Sequence, residues 1–237
     1  VSDGSQTLRP RLQKSGEGLQ IEVPFLTAVP AAAFLRNDVL WMVFDTKDLI
    51  EAIPVPEDLK ADVARIDVDR AAGASILRIT LLNPQAVSFN PSEGGQGWTA
   101  SIGKTAARPT EPLLLRRGVA DNGRTILSAK IPALGQIFWI DDPDTGDRLG
   151  IVTANGPAYG LSKPQSFVEL TAWPTAHGLA LSPRSDDVVV NVGLDEVRIS
   201  RDNGLTVSLG VPEGNLSTGE LMKDLLLDID FWRAASK

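Results

Sequence analysis

The chain has 237 residues, 43% of them hydrophobic and 22% charged, with 21 glycines and 16 prolines, the make-up of a turn-rich globular body rather than a disordered one. Lysine and arginine number 23 against 30 aspartates and glutamates, and the net charge of −7 argues against a phosphate-binding surface, so nucleic acid is not an expected partner. The absence of cysteine and the single histidine exclude disulfides, thiolate zinc sites, cysteine nucleophiles and multi-histidine metal sites, and no run approaches the roughly 20 apolar residues that a membrane span needs.

Apolar and polar residues alternate at 19–23, the period that turns one face of a strand to a core. Pro30 follows, then a strand with Ala33, Phe34 and Leu35. A polar turn at Arg36, Asn37 and Asp38 leads to an apolar-rich strand at 39–44 and a further strand at 65–68. The pattern returns with 77–81, Pro84, a turn at 91–97, and strands at 98–102 and 113–115. A third round has 127–131, Pro132, 137–140, a turn at 141–147, and strands at 149–153 and 159–161. A fourth has 168–172, Pro174, a turn at Arg184, Ser185 and Asp186, and strands at 188–192 and 197–199, with another at 205–209.

The four prolines are spaced by 54, 48 and 42 residues, and a residue without an N–H donor belongs at a strand end or edge. This predicts an all-β body, residues 1–212, of four repeated antiparallel units of about four strands that share a core by stacking. A small propeller fits the repeat length, with 7–12 or 205–209 completing a blade from the opposite end of the chain. Tandem β-sandwiches are the alternative.

Residues 213–237 change character. Ser217, Thr218, Gly219 and Glu220 have capping-box spacing, and Leu221, Met222, Leu225, Leu226, Ile229 and Trp232 then recur at intervals of three and four. The sequence predicts an amphipathic helix whose stripe of Leu221, Leu225, Ile229 and Trp232 docks on a protein partner or on helices of a region following Lys237.

Candidate chemistry is sparse. His177 sits in a turn just after Pro174 with no Gly-x-Ser-x-Gly elbow in the chain, and reads as structural rather than catalytic. Ser101 and Lys104 have Ser-x-x-Lys spacing, but they end a strand instead of opening a helix. Asp141, Asp142, Asp144 and Asp147 crowd carboxylates into a short turn. Asp142, Asp144 and Asp147 are the ligands a calcium ion would use, although no closing bidentate glutamate follows, and an acidic hairpin tip is the preferred reading. No cofactor is otherwise expected. Five tryptophans stand against one tyrosine; Trp98, Trp139 and Trp173 form either a sugar-stacking platform or, as preferred, part of the core with Trp41. The basic pair Arg116 and Arg117 is too small a patch to hold a polyanion.

The run 29–45, the strand and proline units, the segment 142–147 and the helix ending Asp230, Phe231 and Trp232 together resemble the β-rich region that precedes tetratricopeptide helices in large Gram-negative envelope proteins. The hairpin 34–45 is also similar to AMIN domains, envelope β-sandwiches that associate with peptidoglycan. In place of the AMIN-type Pro-Asp-Arg, this chain has Asn37, Asp38 and Val39. The resemblance implies a non-catalytic binding or scaffold module of the periplasm or cell envelope, with adjoining helical repeats or another protein as partner. A peptidoglycan-binding domain is the alternative, and a carboxylate-based glycan-active enzyme the second, since folding can pair carboxylates that are distant in sequence.

Overall fold

The computed structural model describes residues 6–16, 18–83, 85–104 and 111–206. The chain divides after Thr206, and the architecture below is that of the first unit alone. The predicted helix with Leu221, Leu225, Ile229 and Trp232, and the predicted boundary at 212, lie outside the described residues.

The body is all-β and mostly antiparallel. Its centre is the hairpin of strands Ala31–Arg36 and Val39–Phe44. Asn37 and Asp38 both take positive φ, 49° and 63°, the backbone of a two-residue turn whose twist matches that of the flanking strands. Asparagine and aspartate tolerate that conformation because their short polar side chains bond locally. Strand Val39–Phe44 pairs onward with Ala74–Leu81, which turns through Ala72 and Gly73 into Val63–Ala71.

Strand Val39–Phe44 is buried along its whole length, so it is covered on both faces. On one face Leu40, Met42 and Phe44 meet Ile21, Val23, Phe89 and Trp98 of a four-stranded sheet, ordered Arg11–Ser15, Gly18–Pro24, Gly97–Ile102 and Val87–Pro91. On the other face Val39, Trp41 and Val43 join Phe34 and Ile76 against Phe138, Ile140, Leu149 and Ile151. These last four belong to strands Leu134–Asp141 and Arg148–Ala154, which pair with each other and continue through Leu179–Pro183 and Leu170–Trp173 to Gln165–Ser166. The continuation meets the central hairpin at a corner, Ala154 opposite Ala31, and also through Thr175–His177 beside Ala31–Arg36. The ten-stranded sheet therefore folds back on itself around the second core. Gly178 stands at that corner with φ +73°, where a Cβ would come within 2.5 Å of the Val152 carbonyl and 2.8 Å of Ala32 Cβ, so only glycine fits.

A second four-stranded sheet is ordered Arg116–Val119, Thr125–Lys130, Glu196–Ser200 and Val189–Val192. Two short parallel ladders, Thr7–Leu8 with Leu49–Ile50 and Glu111–Pro112 with Tyr159–Gly160, tie connecting segments down.

The propeller expectation is corrected: among the described residues the sheets stack face to face and close neither a ring nor a barrel. The four predicted opening strands fall into three different sheets, so the proline spacing marks turns rather than equivalent units. Strand Val63–Ala71, predicted to end one unit, is the hairpin partner of Ala74–Leu81, predicted to begin the next. The amino-terminal strands pair with their sequence neighbour 18–24 and with 49–50 rather than with the far end of the chain. Residues 113–115 are not a strand; Leu205 is buried and donates to the Thr125 carbonyl without one of its own, and 207–209 are outside the described residues.

Candidate functional site

The tryptophans do not share a face. Trp98 is 3% exposed in the first core, stacked on Phe89 at 4.7 Å and donating from Nε1 to the Val29 carbonyl at 2.7 Å. Trp173 is half-buried against the second core and donates to Ser182 Oγ at 2.8 Å. Trp139 alternates with the buried Phe138 and Ile140, lies across from Gly150 and carries the Arg148 guanidinium over its ring at 4.8 Å. The structure engages each of these three rings separately and does not bring them together on one surface.

His177 has no exposed surface. Its Nδ1 accepts from the Tyr159 N–H at 3.2 Å and its Nε2 lies 2.9 Å from the Ala154 carbonyl, so the neutral tautomer protonated at Nε2 satisfies both. Burial pushes the imidazole down to about 4, against the opposing pull of these two backbone bonds. With both nitrogens spent on backbone, this ring has none left for a nucleophile.

The acidic turn is clasped by arginines. Arg36, 6% exposed, donates to Asp142 and Asp147 and, at 3.1 Å, to Thr145 Oγ1. Asp144 receives Arg65 at 3.3 Å and Arg78 at 3.4 Å, and Arg78 is also held by Asp69. The turn shapes itself: Asp142 accepts the Asp144 N–H on its side chain and the Gly146 N–H on its carbonyl. Asp142, Asp144 and Asp147 thus face guanidinium groups, and among the described residues no three histidines, aspartates or glutamates are grouped to hold a metal ion. A cavity of about 240 Å³ lies beside the clasp, between Arg36, Trp41, Thr80 and Asp144.

A larger concavity, about 530 Å³, lies on the outer face of the second four-stranded sheet. Alternation builds it. Leu127, Ala129, Val197 and Ile199 turn inward and are buried, which leaves Ile126, Ser128, Arg198 and Ser200 facing out with Asn191. Gly118, opposite Ile126, contributes no side chain; a Cβ there would stand 3.4 Å from Ile126 Cγ1, so glycine leaves this wall open. At one end Asp121, Asn122 and Gly123 make the turn, with Asn122 accepting the Arg124 N–H at 3.1 Å. The Arg198 guanidinium holds Glu196 below the usual carboxylate range despite partial burial. Arg201, on the rim, bridges Asp187 at 2.9 Å and Glu169 at 3.2 Å. Burial pushes the Glu169 carboxyl up, but bonds from Thr206 and Arg201 outweigh it and hold the group below its ordinary value.

Comparison with protein-family models, curated proteins and solved structures finds no match.

Sequence reasoning did not find this concavity. Arg116 and Arg117 were legible only as a small basic pair, whereas Asp121, Asn122 and Gly123 carry the hairpin signal that joins Arg116–Val119 to Thr125–Lys130. The arginines of the clasp carried no local signal, since Arg36 lies 106 residues from Asp142. Among the described residues no helix is long and apolar enough to cross a membrane.

Proposed function

We propose that this chain is a non-catalytic binding module and that the outer face of the second four-stranded sheet is its ligand surface. The observation that carries the reading is the concavity of about 530 Å³, where polar and apolar side chains converge beside a strand edge that is unpaired among the described residues. The competing chemistry is poorly served. The histidine is enclosed in the core, the acidic turn is neutralised by arginines, and among the described residues no aromatic ring lines the concavity to stack on a sugar. A place in the periplasm or cell envelope beside helical repeats belongs to the same proposal and rests on the resemblance alone.

A titration of the isotopically labelled chain tests it, using a mixture of small amide, carboxylate and alcohol fragments and, separately, a chito-oligosaccharide. Fragment-induced shifts should converge on the amides of Ile126, Ser128, Asn191 and Arg198. Convergence on the cavity at Arg36 and Trp41 instead, or saturable sugar shifts centred on Trp139, would overturn the reading.

A further inference from the structure

The arginines of this acidic chain are distributed unevenly with respect to partners. Arg9, Arg11, Arg36, Arg65, Arg78, Arg198 and Arg201 each face a carboxylate. Arg70 and Arg184 donate to backbone carbonyls, and Arg148 lies on Trp139. Among the described residues only Arg116, Arg117 and Arg124 have side chains with no hydrogen bond, ion pair or ring contact. With 30 acidic residues against 23 basic ones, cations are the minority and partners for them are abundant. Yet the three arginines left over lie on a single hairpin.

That hairpin ends the sheet. Among the described residues, strand Arg116–Val119 is paired on one side only, with Thr125–Lys130. The Ala120 N–H donates to the Arg124 carbonyl, so by alternation Gly118 and Arg116 also turn their backbone groups inward. Arg117 and Val119 then point their N–H and C=O groups away from Thr125–Lys130, and Val119 is 68% exposed. Cations on an edge repel a second copy of the same edge, which disfavours self-pairing. They attract an anionic chain.

Building on the binding reading above, we infer that strand Arg116–Val119 is a docking edge for an extended acidic peptide, which adds to the sheet as a fifth strand and lays side chains into the neighbouring concavity. The Arg117 and Val119 backbone groups supply the ladder. The register puts Arg116 on the face of Ser128 and Arg117 on the opposite face, so carboxylates on both faces of the incoming strand find a guanidinium. Gly118, which carries no side chain, leaves room for a side chain of the incoming strand to reach across toward Ile126. Asp121 and Asp202 lie toward the turn end of the concavity, while Glu196 at the other end is already paired with Arg198, which sets the peptide's acidic residues toward Arg116 and Arg117.

The test is fluorescence anisotropy with a capped, labelled peptide of about eight residues, glutamate and valine in equal number, against the same peptide with lysine in place of glutamate. The acidic peptide should bind saturably, and more weakly as salt is raised; the lysine peptide should not bind. Arg116→Glu with Arg117→Glu should weaken binding by about a hundredfold, in proportion to two charge-assisted contacts. Val119→Pro removes an outward N–H without touching the inward ladder, and should weaken binding by about tenfold or more while the melting temperature stays close to that of the parent. Equal affinity for both peptides, or no loss in a folded Val119→Pro variant, would overturn strand addition. If the acidic peptide fails while fragments still converge on the concavity, this inference falls and the binding reading stands.

Discussion

Two buried residues carry sharp consequences at the scale of single side chains. The folded chain holds His177 neutral down to about pH 4, whereas in the unfolded chain the same imidazole takes a proton near its ordinary 6.5. Between those values the unfolded state binds more protons, so stability rises with pH across the window. The contribution is fully present above about pH 6.5, is lost on descent toward about pH 4, and amounts to about 3 kcal/mol. Gln in its place keeps an amide able to bond the Ala154 carbonyl but does not titrate. The difference in melting temperature between the parent and His177→Gln should therefore narrow as pH falls from 7 to 4. A constant difference would show that the imidazole does not stay neutral. Arg36 is the counterpart with permanent charge. Arg36→Met strands the carboxylate of Asp142, itself 4% exposed, and should cost about 3–5 kcal/mol in chemical denaturation. Adding Asp142→Leu should recover part of that loss, since a buried pair removed together leaves no orphan charge.

At the scale of elements, local chemistry was legible and pairing was not. The turn at Asn37 and Asp38 was readable because these residue types suit positive φ, and the structure gives both that conformation. Asp38→Gly should be neutral or slightly stabilising. A β-branched Asp38→Val should cost about 1–2 kcal/mol, read as a shift in denaturation midpoint, and equal effects of the two would show the turn to be unstrained. Alternation at 19–23 and 127–131 correctly indicated half-buried strands. It could not say that 18–24 pairs with 97–102, because register across some 75 residues leaves no local trace. Strand Arg116–Val119 escaped notice for another reason: an edge strand is polar on both faces, so it lacks the period that reveals a buried one. The arginine partners of Asp142, Asp144 and Asp147 were likewise invisible, which is why a run of carboxylates in sequence resembled a cation loop and folded as an ion-pair clasp.

For the molecule as a whole, the apolar hairpin 31–44 was the most telling stretch. Hydrophobic residues at nearly every position mean a strand covered on both faces, and the structure stacks a sheet on each. Regular proline spacing pointed instead to repetition, although prolines at strand ends recur in any turn-rich β body at the intervals strand length imposes. The second four-stranded sheet turns Leu127, Val197 and Ile199 to its buried face, and its other face carries the concavity beside an edge that is unpaired among the described residues. Residue-resolved amide exchange at saturating acidic peptide tests the proposed binding surface most directly. Slowed exchange at Arg117 and Val119, with the inward-bonded Gly118 unchanged, is the predicted result; protection confined to the turn 141–147, or no change at any edge amide, would contradict it.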